Sequence, residues 1–498
     1  MLDNTHRQAG RTRQDARADL GRHARIAAAF GDDAGHGRRL AEYMERGWFL
    51  PSAAIMARAA DGETMPVSCV VNEPGPGVDG VVAAWNDTVR LAPYGAGSYW
   101  GNLPQAAEGV AGVGPFVGVA DSLLAAAGGA ARGAAYLPVS HPDIAAFLAA
   151  PACPRVQRGV LVPHAFMRAV EAGEAWVLRS PDTGGAVHVT PARALWSLLL
   201  QARRGAGAPH VVFTDHVNNA RPEHQKLAGL EVRASSPDGS ATVPAGADHH
   251  GRARVAATAH AVLNLRHWME WHHHILLVED VMRFLDNALQ DFVDRAPDSL
   301  ADARYGVMRE RSAGLGVAGF HAFLQSQGAA FESVVAKAWN KRIFRHLRAQ
   351  ADQASRMLAE ERGACPDAAD YGMCERFSNK LALAADDGAA AMLGTSPGVE
   401  PWNGGVAEQA ATDHQRAVFR TARNVSPAAI LDLAADRAPF VCQAQAVRLY
   451  LPVGTDGQTL HDLHMLAWKR GVKSLSACMA PAVGNGVGEG LSEILPVQ

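Results

Sequence analysis

Residues 308–325, MRERSAGLGVAGFHAFLQ, contain Gly314-Leu315-Gly316-Val317-Ala318-Gly319, which spells G-x-G-x-x-G, and the fold turns on how that spelling is read. A dinucleotide-binding turn needs a strand before it, a helix after it and an acidic residue ~20 positions on, within one βαβ unit. MRERSA precedes the glycines here and no βαβ unit is legible, so they read as close helix packing and a Rossmann site is set aside. The surrounding pattern, from Val278 to Arg362, is helical. Val278, Met282, Phe284, Leu285, Leu289, Phe292 and Val293 share one face at i, i+3, i+4 spacing, as a core-facing helix requires.

Toward the N-terminus the pattern alternates. PVSCVVN (66–72) and GAAYLPVS (133–140) are short apolar runs between turn residues, whereas ADSLLAAA and DIAAFLAA read as helix. HVVFTDHVN (210–218) is a buried-strand candidate after the helical ARALWSLLLQARR (192–204), and the alternation indicates an α/β class. Residues 1–50 form a helical segment ending at Pro51, its first thirty residues a frayed, solvated helix. Residues 51–485 are the body and 486–498 a flexible tail. Within the body, 233–253 (RASSPDGSATVPAGADHHGRA) is a long polar loop with a turn at Pro237-Asp238-Gly239, and loops of that length in compact domains carry function. Residues 380–470 are mixed again, with the buried run AVRLYLPV (446–453) and a helix entering a short strand at HDLHMLAWKRGVKSL.

The 498 residues carry 47 Lys+Arg against 50 Asp+Glu, a net charge of −3, which removes the electrostatic case for nucleic-acid or polybasic membrane binding. With 48% hydrophobic and 19% charged residues and no apolar run of spanning length, the composition is that of a soluble globular chain. Six cysteines, none in a C-x-x-C pair, and no secretory signal point to a reducing, cytoplasmic setting. His272-His273-His274, with His249, His250, His260 and His267 near in sequence, invites a metal reading. Neither helix nor strand points consecutive side chains the same way, so no metal ligand set is assigned. Neither G-x-S-x-G nor a P-loop occurs.

From about Met44 to Cys478 the chain resembles the large, catalytic (α) subunit of aerobic ribonucleotide reductases. The matching stretches run in order: PVSCVVNEPG (66–75), GSYWGNL (97–103), YLPVSHPDI (136–144), GVLVPHAFMRAVEA (159–172), EDVMRFLDNALQDF (279–292), the opening MRERSAGLGVAGFHAFLQ, ASRMLAEERGACPDAADYGMCERFSNK (354–380), GTSPGVEP (394–401), AADRAPFVCQAQAVRLYLP (434–452) and HDLHMLAWKRGVKSL (461–475). The resemblance implies an α/β barrel of ten strands, built as two parallel halves running antiparallel to each other, with a loop threaded through its centre. It also implies sulfur chemistry: a thiyl radical on the central loop abstracts the ribose 3′ hydrogen, and a facing cysteine pair supplies the electrons that remove the 2′ hydroxyl. Carboxylates supply neither a comparable radical nor a dithiol couple.

Against that pattern, Cys69 takes the place of the first reducing cysteine and Ser68 that of a substrate-contacting serine. Where the family has C-C-L-S-S-x-N-L, this chain reads Thr258-Ala259-His260-Ala261-Val262-Leu263-Asn264-Leu265, without the second thiol. Where the central loop reads S-N-L-C-x-E, this chain has Ser235-Ser236-Pro237-Asp238-Gly239-Ser240. Asp238 thus replaces the radical cysteine, Ser236 the asparagine and Ser240 the glutamate. Ser476-Ala477 stand in place of the radical-transfer tyrosines, and Ala385-Asp386-Asp387-Gly388 in place of the phosphate-cradling P-T-A-S. Two carboxylates there would repel a diphosphate by up to ~4 kcal/mol per charge pair at 4 Å and an effective dielectric of 20. Pro76 falls at the specificity-site aspartate. The resemblance leaves no room for an ATP-cone before Met44, finds no cysteine pair after Cys478, and implies a deletion of roughly fifty residues after Pro401, judged against ordinary connection lengths.

These readings lead to a large-subunit homologue that has lost radical reduction and acts as a structural, regulatory or repurposed protein, as a homodimer or in complex with ribonucleotide reductase subunits. One alternative is acid/base or metal-assisted chemistry through Asp238, Asp386 and Asp387, with a nucleotide or divalent metal as ligand. The other is an active ribonucleoside-diphosphate reductase with an atypical site, Cys374 or Cys442 donating the radical.

Overall fold

The computed structural model describes residues 13–75, 77–107, 111–128, 131–206, 208–402, 413–452 and 454–479. Pro76 and the 486–498 tail lie outside the described residues.

The framework is a curled sheet of nine strands: β1 (Phe49–Pro51), β2 (Ser68–Asn72), β3 (Ala96–Tyr99), β4 (Gly133–Pro138), β5 (Val156–Val162), β6 (His210–Phe213), β7 (Ala256–Asn264), β8 (Ala313–Ala318) and β9 (Ser474–Leu475). Its order is β1-β7-β2-β3-β4-β5-β6-β9, with β8 also on β7. Strands β2 to β6 are mutually parallel and form one half. Strand β7 joins them antiparallel and opens the other half, parallel to β8. Outer helices cover the parallel strands, so the middle of β4, β5 and β6 is buried on both faces, as parallel strands require.

The ten-strand ring is corrected here. Past β8 the second half thins to the isolated bridges Leu315↔Leu381 and Leu383↔Gln445 and a separate parallel pair, Arg448–Tyr450 with Ala477–Met479. The reason is visible in the hydrogen bonds. Cys442 Sγ accepts the backbone N–H groups of Lys380 (3.1 Å) and Leu381 (3.2 Å), and Lys473 Nζ donates to the carbonyls of Cys442 (3.2 Å) and Gln443 (2.7 Å). Backbone groups satisfied by side chains are withdrawn from a strand ladder.

The helical reading of 278–362 is likewise corrected: helices Leu277–Arg295 and Ala301–Glu310 are followed by β8, then Phe320–Ser326 and Val334–Arg362. Gly314 and Gly316 lie within the strand, and the motif's close packing is strand against strand. A Cβ on Gly316 would stand 2.9 Å from the Ala382 carbonyl oxygen.

The N-terminal helices Arg13–Phe30 and Ala34–Glu45 pack on Leu277–Arg295. Ile26, Ala27 and Phe30 are buried and Phe30 meets Phe284 edge-on at 5.3 Å, so the last turns of the first helix are core rather than frayed and solvated. Arg39 forks onto Asp280 through Nε and Nη2, both at 2.7 Å, a bidentate pair that fixes the second helix. Among the described residues no helix is long and apolar enough to cross a membrane.

Candidate functional site

The segment between Leu230 and Gly246 has no regular structure, yet Ser235, Ser236, Ser240, Ala241 and Val243 are fully buried. It passes so close to β3 that a Cβ on Gly97 would overlap the Ser235 carbonyl at 1.8 Å. A buried loop must find partners for its backbone. Ser236 N–H donates to Ala241 O (3.0 Å), Gly239 N–H to Ser236 O (2.9 Å), Ala444 N–H to Ser240 O (3.0 Å) and Tyr136 OH to Ser236 O (3.1 Å). Gly239 closes the turn at φ +80°, a left-handed value that glycine adopts without strain.

Asp238 stands at the tip of this turn. Its carboxylate accepts the Ser236 hydroxyl at 2.5 Å, the Ser240 hydroxyl at 2.7 Å and the Ser240 N–H at 3.2 Å. Ser236, Asp238 and Ser240 therefore act on one another: two serines solvate the aspartate from within. Ser476 packs behind the tip, its Cβ 3.4 Å from where a Gly239 side chain would begin.

Cys69 faces this tip from β2. It sits at φ +55°, a strained value for a non-glycine residue, at the irregularity between the Val71↔Ala256 and Ser68↔Thr258 pairs. Burial pushes its thiol well above the usual range, Asp238 and Asp386 push it the same way, and a hydrogen bond with Ser236 only partly opposes them. The sulfur is a protonated thiol at neutral pH. Ser68 Oγ donates to Ser52 Oγ (3.1 Å), and its carbonyl accepts the Thr258 hydroxyl (2.8 Å). Thr258 thus pairs with Ser68, the residue next to Cys69. All six cysteines are free: Cys442 is engaged with Lys380 and Leu381, Cys365 lies 3.6 Å from the Ser378 hydroxyl, Cys478 sits at Arg203, and Cys374 is exposed.

Asp386 and Asp387 diverge. Asp386 caps the helix Asp387–Leu393 by accepting Ala389 N–H at 2.8 Å, while Asp387 faces outward to Arg448 at 3.3 Å. Burial raises the Asp386 carboxyl; its backbone hydrogen bond to Ala389 opposes this, and Asp387 and Asp238 add to it. The anion that a helix N-terminus attracts is supplied here by the chain itself. Gly388 lies in the first turn, and a Cβ there would be 3.3 Å from Asp386 Oδ1. The two carboxylates therefore do not form the joint face expected toward a diphosphate.

Sequence reasoning missed the aromatic and imidazole filling of the interior. His260 points inward from β7, and its Nε2 meets Thr258 Oγ1 at 2.7 Å. Burial holds its pKa down at about 4, with Asp238 pulling weakly upward, so the ring is neutral. His210 is also depressed to about 4, by burial and then by Arg203, and its Nδ1 lies 3.3 Å from Tyr136 OH. A signal was present: glycines oppose these bulky side chains. A Cβ on Gly314 would lie 2.3 Å from His260 Nε2, and one on Gly159 would lie 2.2 Å from the Tyr136 ring. A cavity lined by Ser52, His260, Gly314, Asp386 and Ala389 measures about 30 Å³. That is room for one or two waters, against the ~300 Å³ at the small end of ligand sites. A larger cavity of about 660 Å³ is an outer groove between helices Ala192–Ala206 and Gly457–Lys469, lined by Trp196, Arg204, His461 and Met465.

The histidine run behaves as expected and two of its neighbours do not. His272 stacks on Trp268, whereas His274 turns edge-on to Tyr43 and Trp48. His249 and His250 converge with Asp370, their ligand atoms within 4.8 Å of one another.

The sequence profile of the ribonucleotide reductase barrel domain matches residues 67–384 and 398–478. The putative ribonucleoside-diphosphate reductase large subunit of Frog virus 3 (isolate Goorha) is 31% identical over 497 residues, covering 88% of this chain and 86% of the viral one. The vitamin B12-dependent ribonucleoside-diphosphate reductase of Mycobacterium tuberculosis (strain CDC 1551 / Oshkosh) is 29% identical over 429 residues, covering 80% of this chain and 60% of its own. The Actinobacillus ureae class Id ribonucleotide reductase alpha subunit shares the fold, with a TM-score of 0.84 at 23% identity over 95% of this chain and 94% of the other. A profile that brackets the buried loop on both sides, and a viral large subunit alike over most of both lengths, make this chain a member of the ribonucleotide reductase family, homologous to the large subunit.

Proposed function

We propose that this chain keeps the large-subunit scaffold without thiol-based nucleotide reduction, and serves a structural, regulatory or repurposed role. The observation that carries this reading is the Asp238 carboxylate at the tip of the buried loop, hydrogen-bonded by Ser236 and Ser240 where the resemblance places a radical cysteine. A carboxylate clasped in this way offers no hydrogen-abstracting sulfur, and Cys69, with Thr258 on the neighbouring strand where the resemblance expects a second cysteine, offers one thiol where a two-electron reduction needs two. The 30 Å³ cavity between His260 and Asp386 supports the same reading, since it is far smaller than a nucleoside site. Self-association, or association with an authentic ribonucleotide reductase subunit in the cytoplasm, is the partner reading that accompanies it.

The names of the relatives support a second reading, an active reductase. One assay separates the two. The full chain is incubated with each ribonucleoside diphosphate, a dithiol, and in turn a partner small subunit or adenosylcobalamin. The first reading expects no deoxynucleotide above a protein-free blank. Turnover that disappears in Cys69→Ser would overturn it. Size-exclusion chromatography with authentic subunits at micromolar concentration tests the partner reading, and elution as separate species would count against it.

A further inference from the structure

The base of the buried loop carries a second cluster of chemistry-bearing side chains, independent of the interior. A short hairpin, Gly246–Ala247 paired with Ala253–Arg254, presents the turn Asp248-His249-His250-Gly251. In a helix or strand consecutive histidines diverge. In this turn they do not: Gly251 N–H donates to Asp248 O at 2.9 Å, Gly251 takes φ +73°, and the two imidazole rings lie 4.0 Å apart. Both Nε2 atoms approach the same oxygen, Asp370 Oδ2, at 3.2 Å for His249 and 3.1 Å for His250. Bonds of ~2.0–2.1 Å in a tetrahedral zinc site separate the donor atoms by about 3.3 Å, so little movement is needed to admit an ion.

The frame around the three side chains is stiff. Asp248 is locked by Arg254 Nη2 (2.8 Å), the Tyr305 hydroxyl (2.8 Å) and its own acceptance of His250 N–H (2.9 Å) and Arg252 N–H (3.0 Å). On the opposite side, Asp370 ends the short helix Pro366–Ala369, its N–H donating to Pro366 O at 3.0 Å. Arg309 completes the ring of contacts. Its Nη2 donates to Asp370 and lies 3.1 Å from His250 Nε2, while its Nε is anchored on buried Asp367 at 2.6 Å. A cation already seeks this position, and the Asp367 anchor lets Nη2 swing aside without leaving Arg309 unpaired.

We propose that His249 Nε2, His250 Nε2 and Asp370 Oδ2 bind one divalent transition ion of the zinc type, with solvent in the fourth position, clipping the hairpin that follows the buried loop to the segment carrying Asp370. Two imidazoles and one carboxylate are a borderline donor set that suits zinc, cobalt or nickel and disfavours calcium and magnesium. The ion displaces the Arg309 contact when it enters.

The test uses the full, untagged chain after chelator treatment. Titration with Co²⁺ at neutral pH should give one saturating equivalent with the intense visible bands of four-coordinate cobalt, and Zn²⁺ should bleach them. His249→Ala/His250→Ala should weaken binding at least tenfold, while His272→Ala/His273→Ala should bind as the parent does. Zinc should also raise the melting temperature of the parent and not that of the turn variant, because a ligand bound only to the native state stabilises it. Should the double variant fail to fold, His249→Gln and His250→Gln, each retaining a polar side chain in an exposed turn, must each weaken binding. No saturable site up to 100 μM metal, or equal binding by the turn variants, would overturn the proposal.

Discussion

The tip and the base of one segment, residues 231–254, handle buried charge in opposite ways. At the tip, the carboxylate of Asp238 is held by the hydroxyls of Ser236 and Ser240, with no cation in hydrogen-bonding contact among the described residues. At the base, Arg254 reaches Asp248 at 2.8 Å, Asp367 at 2.7 Å and Glu310 at 3.3 Å, and Arg309 adds a second guanidinium on Asp367. Neutral donors suffice for one anion at a turn, because hydroxyls can be aimed from two residues away. Three buried carboxyl groups at one place, one of them Glu310 raised to about 8 by burial, draw in full positive charges. The lesson is that the base anchors the loop and the tip merely remains satisfied, so disruption should be far more costly at the base.

Arg254→Met breaks the comparison at its strongest point. It leaves Asp248 and Glu310 buried without their guanidinium and should cost about 3–5 kcal/mol, read as a lower midpoint in urea unfolding. Ser236→Ala at the tip removes one hydrogen bond to a carboxylate and one to the Ala241 N–H, and should cost about 1.5–3 kcal/mol. A tip variant costing more than the base variant would reverse the assignment of anchor and passenger.

What could be read from the sequence divides along the same physical line. Strands β2, β4 and β6 were legible because apolar runs between turn residues need no tertiary information, and the helix on Leu277–Arg295 because its period is explicit. Strand β8 was hidden: Ala-Gly-Leu-Gly-Val-Ala has little side-chain pattern, and its glycines answer to His260 and Ala382, which are distant in sequence. The burial of Ser235 to Ser240 was hidden for a related reason, since a polar loop looks solvated until its backbone partners are known. Substitutions at Asp238 and Thr258 could be placed by resemblance, yet the mutual bonding of Asp238 with its two serines required coordinates. The convergence of His249 and His250 contradicts the rule for helices and strands because the pair occupies a turn.

Gly314→Ala sharpens the comparison within the interior. The new Cβ would meet His260 Nε2 at 2.3 Å inside a packed wall, an overpacking that should cost about 1–3 kcal/mol. His260→Ala in the same chain should relieve most of that cost, so a double-mutant cycle should return a coupling energy well above the ~0.5 kcal/mol scatter of independent sites. Additive effects would mean that the ring does not occupy the space above Gly314.

Acid titration should separate interior from base by pH. His260 has an ordinary pKa of 6.5 and about 4 in the folded protein, so the unfolded chain binds a proton that the native one refuses. Stability contributed by keeping the ring neutral is therefore present above pH 6.5 and declines as pH falls from 6.5 toward 4, by about 1.4 kcal/mol per pH unit per imidazole. The base responds later. Asp370 is held down at about 2 against an ordinary 3.8, first by its hydrogen bond with Arg309, so its contribution is intact above pH 4 and is lost as pH falls from 3.8 toward 2. Denaturant midpoints measured from pH 7.5 to 2.5 should show an early decline that is shallower by one proton in His260→Gln, and a late decline that Asp370→Asn reduces. If His260→Gln left the early slope unchanged, the interior imidazole would not be held neutral, and the contrast between a hydroxyl-lined tip and an ion-paired base would lose its pH signature.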